Sequence, residues 1–173
     1  MDKKVWILAI LIVAMAFALS PQQAQAAAGY RLVAGQNTIV GWVFVDNDAT
    51  NLTVTFQTKY SLGYCINETQ LHVADELNGI PVNGGGNPQV GQFDYKGEHN
   101  CVDKVTYVIP LADLPANDGE LTLAAHAVIG SWNEAQLPGY EETGWGVICG
   151  NVDNPDFQFP GGNWAMFTEY PLK

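Results

Sequence analysis

Three histidines are the residues best suited to chemistry in this chain. The two-residue period of a strand puts Glu68, Gln70 and His72 on one face of the segment that contains them. Small residues flank His126 and leave space around its ring. If the strands of His72 and His126 are neighbours, the two imidazoles and the Glu68 carboxylate make a candidate transition-metal site. The alternative is a buried histidine hydrogen-bonded to Glu68, and the lack of a close His-x-His spacing favours it.

Hard oxygen ligands occur on two turns and make a candidate calcium site at each. Asp46, Asp48 and Asn51 lie in one turn-forming cluster, and Asp153 and Asp156 lie in another. Calcium takes about six to eight oxygen ligands from loops of this kind. Neither cluster has the EF-hand spacing, and Asp and Asn are also ordinary turn residues. We therefore expect no required cofactor, with calcium as the cation that these turns suit best.

Aromatic residues are concentrated in the C-terminal third, among glycine, proline and asparagine. Trp132, Tyr140, Trp145 and Trp164 are the candidates for stacking on the rings of a glycan. The alternative is that these aromatics close the ends of a β-sheet protein. The apolar surroundings of Trp145 and Trp164 favour this second interpretation for those two residues.

The recurrent catalytic motifs are absent from the sequence. There is no Gly-x-Ser-x-Gly run, no His-Glu-x-x-His run and no phosphate-binding glycine loop before a helix. A hydrolase built on two carboxylates is the alternative, because the separation of such a pair cannot be obtained from sequence. We expect a protein that is not an enzyme and has no catalytic residues.

The chain contains three cysteines, which allow three different single disulfides. Cys65 and Cys101 both lie where loops meet strands, and we predict that they pair. Cys149 is then either a buried thiol or a link to another chain. Asn51 and Asn67 each begin an Asn-x-Thr sequon, so both are potential N-glycosylation sites.

The N-terminal 26 residues have the pattern of a cleaved secretory signal peptide. Lys3 and Lys4 precede an apolar run over residues 5–19, and Ala24-Gln25-Ala26 supplies the small-x-small cleavage pattern, with an alternative site after residue 28. The apolar run is shorter than the ~20 residues that span a bilayer. We expect a secreted or cell-surface protein with no membrane span in its mature part.

The charge of the chain excludes some classes of partner. The sequence has 7 Lys and Arg against 18 Asp and Glu, a formal net charge of −11. Nucleic acids and anionic lipids require a basic surface, so we expect neither as a partner. A glycan and a second protein chain are compatible with this charge.

The elements that must position these residues are strands. An apolar run over 38–45 and an alternating run over 52–58 predict a hairpin around the turn 46–51. Further strands are predicted over 66–73, 105–111, 121–129 and 165–170, and no long helical stripe is present. A chain of 173 residues suits one domain. We predict an all-β protein: a single antiparallel β-sandwich over 38–173 with long Gly/Pro/Asn-rich loops, preceded by an N-terminal arm over 27–37.

Seven short runs are spread over most of the mature chain. They are 68–73 (ETQLHV), 86–88 (GNP), 91–95 (GQFDY), 109–111 (IPL), 124–127 (AAHA), 142–146 (ETGWG) and 163–165 (NWA). As a set they resemble a family of largely uncharacterised, secreted microbial β-rich surface modules. The resemblance implies a β-rich extracellular fold, and cysteines that the family often has at Cys65 and Cys101 support their pairing. Gln70 stands where the family motif typically has another histidine, which weakens the metal hypothesis.

Three functions follow from these observations, in order of preference. The first is a non-catalytic extracellular structural protein, a cell-surface, matrix or filament subunit that self-associates through the arm 27–37 or through Cys149. The second is a carbohydrate-binding module, with or without calcium. The third is a histidine-based metal-binding protein that uses Glu68, His72 and His126.

Overall fold

The computed structural model describes residues 26–115, 118–147 and 155–173, and its regular structure in these ranges is nearly all strand. The strands are β1 (Ala28–Ala34), β2 (Thr38–Asn47), β3 (Asn51–Thr58), β4 (Tyr64–Ala74), β5 (Tyr95–Val102), β6 (Lys104–Pro110), β7 (Glu120–Ser131), β8 (Glu142–Val147) and β9 (Thr168–Pro171). Single-turn 3-10 helices lie at Tyr60–Leu62, Leu77–Gly79, Val90–Gln92, Leu111–Asp113 and Pro155–Phe157. None of these described helices has the length or apolarity to cross a membrane.

The strands form one antiparallel sheet, which confirms the predicted all-β, sandwich-like fold. Their spatial order is β5-β4-β7-β8-β1-β2-β3-β6, and β9 pairs with the first part of β7. The sheet curls until its two ends approach each other. A contact of 2.7 Å between Thr69 Oγ1 on β4 and Tyr107 Oη on β6 joins them, and the rings of Tyr95 and Tyr107 lie 6.1 Å apart. The curled sheet therefore encloses one apolar core.

Local patterning accounts for the predicted strands that the structure contains. In β3, Leu52, Val54 and Phe56 are fully buried in the enclosed core while the threonines between them face outward. The predicted hairpin is β2–β3, and the segments predicted near 66–73, 105–111 and 121–129 are β4, β6 and β7. The last strand begins at Thr168 rather than at residue 165.

The predicted N-terminal arm over 27–37 is wrong, because this segment contains a strand of the sheet. Strand β1 pairs along one edge with β2 and along the other with β8. Leu32 and Val33 are fully buried, one in the enclosed core and the other on the outer side of the sheet. A segment with apolar residues on both faces gains more by burial within its own sheet than it would as a free arm.

The outer side of the sheet is divided into two faces. The covered face belongs to β1, β4, β7 and β8, and loop segments 75–94 and 155–167 pack on it. The apolar residues buried there include Val33, Ala124, Trp145 and Val147 from the strands and Ile80, Phe93, Phe159, Ala165, Met166 and Phe167 from the two segments. The open face belongs to β2, β3 and β6 and extends to Arg31 on β1, which is opposite Trp42. Its outward side chains are Trp42, Phe44, Thr53, Thr55, Gln57, Lys104, Thr106 and Val108.

One asparagine joins the two covering segments. The Asn87 Oδ1 atom accepts a hydrogen bond from the Asn163 backbone N–H at 2.8 Å. Gly161 packs so closely against the Asn87 side chain that an added Cβ would lie 2.1 Å from Oδ1. Any larger residue at 161 would therefore push the segments apart.

The predicted disulfide between Cys65 and Cys101 is confirmed. It links β4 to β5, with an S–S distance of 2.00 Å. Cys101 has a positive φ of 52°, an uncommon conformation for a residue other than glycine. Cys149 and residues 1–25, which contain nearly all of the expected signal peptide, lie outside the described residues.

Candidate functional site

His72 lies on β4, beneath the covering segment 75–94. Its Nε2 is 3.2 Å from the Gly79 carbonyl oxygen, so Nε2 carries the proton and donates. Its Nδ1 is 3.3 Å from Asp94 Oδ2, yet this buried atom makes no contact with hydrogen-bond geometry. The ring packs on Phe93, with 5.6 Å between centroids. His72 therefore serves to hold the covering segment on the sheet.

His126 is buried on β7, directly opposite Gln70 on β4. The His126 Nδ1 donates to Gln70 Oε1 at 2.6 Å, and Gln70 Nε2 donates to Glu68 Oε2 at 3.0 Å. The Trp145 ring lies 4.7 Å from the imidazole, centroid to centroid. Burial lowers the pKa of His126 to about 4, so the ring is neutral at physiological pH. The chain of hydrogen bonds connects a buried imidazole to a surface carboxylate.

The structure does not assemble Glu68, His72 and His126 into a metal site. The two histidines share the covered face, but each uses a ring nitrogen to bind a protein group, Gly79 or Gln70. In the described ranges, no three His, Cys, Asp or Glu residues are grouped so that they could hold a metal ion. His126 is instead a buried, hydrogen-bonded histidine, which was the alternative to a metal ligand, and its acceptor is Gln70 rather than Glu68.

The first candidate calcium turn satisfies its own oxygens with protein donors. Asp48 Oδ1 accepts from the backbone N–H groups of Thr50 and Asn51 at 2.7 and 2.8 Å, and from Thr50 Oγ1. These hydrogen bonds hold the pKa of Asp48 below its usual value. Asp46 Oδ1 is bound by the Lys173 ammonium at 2.6 Å, which occupies the place of a cation.

The second candidate calcium turn is described only in part. Asp153 lies outside the described residues, and Asp156 is exposed in the 3-10 helix Pro155–Phe157. The two turns are therefore not joined into one ligand set by any described residue. Both potential glycosylation sites are partly exposed: Asn51 Nδ2 donates to Thr50 Oγ1, and the Asn67 side chain lies against Gly130.

A groove rich in carboxylates lies where β4 ends and β7 begins, beside β9. It has a volume of about 570 Å³, and its acidic lining residues are Asp75, Glu76, Asp118, Glu120 and Glu169. Leu77, Thr122 and Phe167 complete the lining. The sequence pattern did not single out these acids, because they come from three separate segments of the chain. Together they give this part of the surface a concentrated negative charge.

Three of the four predicted glycan-binding aromatics are packed into the protein. Trp145 is 5% exposed, in contact with His126 and Phe159. Trp164 is partly buried, and its Nε1 is buried without a hydrogen-bond partner. Tyr140 packs edge-on against Tyr64 at 5.4 Å, and burial raises its pKa to about 12. These three residues contribute to packing within the protein and do not form an exposed glycan-binding surface.

Trp132 differs from the other three because it is exposed and stacked. Its ring lies 5.2 Å from that of Tyr60 at an interplanar angle of 25°. Its Nε1 donates to the Tyr60 carbonyl oxygen at 2.7 Å, which fixes the indole. Trp132 is 45% exposed and Tyr60 is 41% exposed. We call this pair the aromatic platform.

The aromatic platform joins two distant parts of the chain. Tyr60 begins the 3-10 helix after β3, whereas Trp132 follows β7, and the Trp132 N–H donates to the Gly63 carbonyl oxygen at 3.1 Å. Leu62, which is 56% exposed, extends the apolar surface. Sequence reasoning found Trp132 but missed Tyr60, because no local signal identifies a partner that is remote in the chain.

Comparison with known proteins adds no relative to these observations. No protein-family model matches the chain, and neither a curated protein nor a solved structure does. The resemblance to secreted β-rich surface modules therefore stays a prediction.

Proposed function

We propose that the protein is a non-catalytic extracellular module that binds carbohydrate through the aromatic platform. The observation that carries the proposal is the exposed, hydrogen-bonded stack of Tyr60 and Trp132. Large aromatic side chains are usually buried, whereas Tyr60 and Trp132 are 41% and 45% exposed. A sugar ring can stack the apolar face formed by its C–H groups on such an exposed aromatic pair.

The fixed geometry of the platform favours binding. The Trp132 side chain loses little conformational freedom on binding a ligand, because Tyr60 already holds it by stacking and by a hydrogen bond. Asn133 and Gln136 lie against Gly63 in the same turn region. Their side chains supply amide groups of the kind that bind sugar hydroxyls.

The extracellular part of the proposal comes from the sequence. Residues 1–26 have the signal-peptide pattern, and the disulfide between Cys65 and Cys101 suits an oxidising compartment. The sequons at Asn51 and Asn67 are compatible with the same route.

A glycan array probed with the mature protein tests the proposal. The variant Trp132→Ala should weaken binding about tenfold, which corresponds to ~1.4 kcal/mol. Val82→Ala is the matched control, because Val82 is also exposed and apolar, at 43%, but lies in the segment 75–94. Circular dichroism of each variant checks the fold. The absence of binding to any glycan, or equal binding by Trp132→Ala, would contradict the proposal.

A self-associating structural subunit is the second candidate. The observation that favours it is that β5 and β6 end the sheet, so each has one edge without a neighbouring strand among the described residues. Such edges can pair with another chain. Filaments in electron micrographs of the purified protein would support this candidate, and a monomer by sedimentation at high concentration would exclude it.

A further inference from the structure

The open face carries a row of long polar and aromatic side chains across four adjacent strands. In the strand register, Arg31 on β1 is opposite Trp42 on β2, Trp42 is opposite Gln57 on β3, and Gln57 is opposite Lys104 on β6. Opposite residues project from the same side of a sheet, and neighbouring strands are ~4.8 Å apart. The row is therefore ~14 Å long between its first and last Cα atoms, long enough for a short oligosaccharide to lie along it.

The row concentrates the few cations of an acidic protein. After the expected signal peptide, the basic residues of the chain are Arg31, Lys59, Lys96, Lys104 and Lys173. Arg31 and Lys104 end the row, and Lys59 Nζ lies 5.3 Å from the centroid of Trp42 in the middle of it. Most of the positive charge of the mature chain is thus gathered on one strip of surface.

These three cations are available to an anionic ligand. No carboxylate in the described part of the chain is within ion-pair distance of Arg31, Lys59 or Lys104. Asp46, at the other end of the same face, is already bound by Lys173. Asp103, next to Lys104 in the chain, is the nearest acid along the sequence, and its carbonyl oxygen accepts from Thr58.

The row is continuous with the aromatic platform through the chain. Lys59, above Trp42, is followed directly by Tyr60 of the platform. Trp42 is itself 37% exposed, so part of its ring is accessible beside Lys59. Cations thus lie on both sides of the Trp42 ring in the row, an arrangement that matches a sugar chain that carries negative groups.

We propose that the ligand of this surface is an acidic polysaccharide whose carboxylates bind Arg31, Lys59 and Lys104 while a sugar ring stacks on Trp42. This inference depends on the carbohydrate-binding function proposed above and names the class of its ligand. Nucleic acid fits less well, because tight binding of a polyphosphate requires more ionic contacts than the three cations of this row supply. Gln57 and the threonines beside it suit neutral hydroxyl groups.

The test compares polygalacturonate with its fully methyl-esterified form, two polymers that differ in charge but share the sugar backbone. We expect at least tenfold tighter binding to polygalacturonate by affinity electrophoresis, weakened by added salt. Arg31→Gln and Lys104→Gln should each reduce that affinity severalfold, and Trp42→Ala should reduce binding to both polymers. Lys96→Gln is the matched control: it removes one positive charge from β5, which is not one of the four strands of the row, and should leave binding unchanged.

The outcomes separate this inference from the function on which it depends. Equal affinity for the two polymers, or equal losses in Lys96→Gln and Lys104→Gln, would overturn the acidic ligand but leave carbohydrate binding intact. A lack of binding to both polymers and to every glycan of the array would overturn both. Binding of single-stranded DNA as tight as that of polygalacturonate, and unaffected by Trp42→Ala, would show an unspecific attraction of polyanions and would also overturn the inference.

Discussion

The covered face and the open face belong to the same sheet, yet they use the same residue type in opposite ways. Trp145 on β8 and Trp42 on β2 are separated only by β1, and both project outward from the sheet. Trp145 is 5% exposed because Phe159 and its segment pack over it, whereas Trp42 is 37% exposed beneath a single lysine. The loops, and not the strands, decide which tryptophan contributes to stability and which remains available for binding.

The polar residues follow the same division. On the covered face, His126 and Gln70 satisfy each other, and burial keeps the imidazole neutral. On the open face, Arg31 and Lys104 have no carboxylate partner among the described residues. Gln70 and His126 on the covered face therefore pair with each other, whereas Arg31 and Lys104 are left for a partner outside the protein.

The largest expected difference between the faces is in tryptophan removal. Trp145→Ala should lower the free energy of unfolding by about 3–5 kcal/mol, because it leaves a cavity in a packed cluster. Trp42→Ala should change it by less than ~1 kcal/mol. Urea unfolding followed by circular dichroism measures both, and Trp145→Phe serves if the alanine variant does not fold. Equal losses of unfolding free energy in Trp145→Ala and Trp42→Ala would show that the two faces do not differ in this way.

The buried histidine predicts a stability that depends on pH. His126 has a folded pKa of about 4 against an ordinary value of 6.5, so between these values the unfolded chain binds the extra proton. The free energy of unfolding therefore includes the full contribution of neutral His126 above pH 6.5, and it should fall by about 3 kcal/mol as the pH drops to 4. His126→Asn keeps a donor toward Gln70 but cannot titrate. Denaturant titrations at pH 4 to 8 should show a shallower dependence in this variant, and parallel curves would exclude the assignment.

The hydrogen bond between Asn87 and Asn163, which connects the two covering segments, should contribute less to the free energy of unfolding than the residues buried beneath those segments. Asn87→Ala removes the acceptor for the Asn163 N–H and should cost about 1–2 kcal/mol. Amide hydrogen exchange should become faster in the segment 155–167 and stay unchanged in β2 and β3. Asn78→Ala is the control, because Asn78 makes only an exposed hydrogen bond to Glu76. Uniform acceleration across the sheet would show that the covering segments are not a separate layer.

The smallest effect is expected on the open face. Thr55 Oγ1 and Thr106 Oγ1 lie 3.0 Å apart on neighbouring strands, and their hydrogen bond is exposed to solvent. A double-mutant cycle with Thr55→Val and Thr106→Val should give a coupling energy of less than ~1 kcal/mol. A larger coupling would mean that this face contributes to stability as the covered face does.

Sequence patterns predicted the strands whose signal is local. The β2–β3 hairpin follows from strict alternation on both sides of an Asp/Asn turn, and the structure has it as expected. Strand β5 was missed because alternate positions carry Lys96, Glu98 and Asn100, so its polar composition hides its period. Strands β1 and β8 were missed because both contain glycine and neither alternates clearly. Their places are set by pairing, β1 between β2 and β8, and β8 between β7 and β1.

The candidate site was less predictable than the fold. The sequence placed Gln70 and His72 on one face correctly, but the partner of His126 depends on which strands are neighbours and in which register. The aromatic platform needs Tyr60 and Trp132, residues 72 positions apart. The cationic row needs four strands in register. These residues are brought together by the order and register of the strands, which the local periodicity of a sequence does not predict.

The pairing of β1 with β8 has a consequence for how the chain folds. The first strand is held in the middle of the sheet by Gly144, Trp145, Gly146 and Val147, which come late in the sequence. The sheet therefore cannot close until nearly the whole chain is available, and contacts of such long range place the protein among slow-folding domains. Until β8 arrives, β1 and β2 present an unpaired apolar edge. Emergence of the complete chain is thus the event that protects this edge from aggregation.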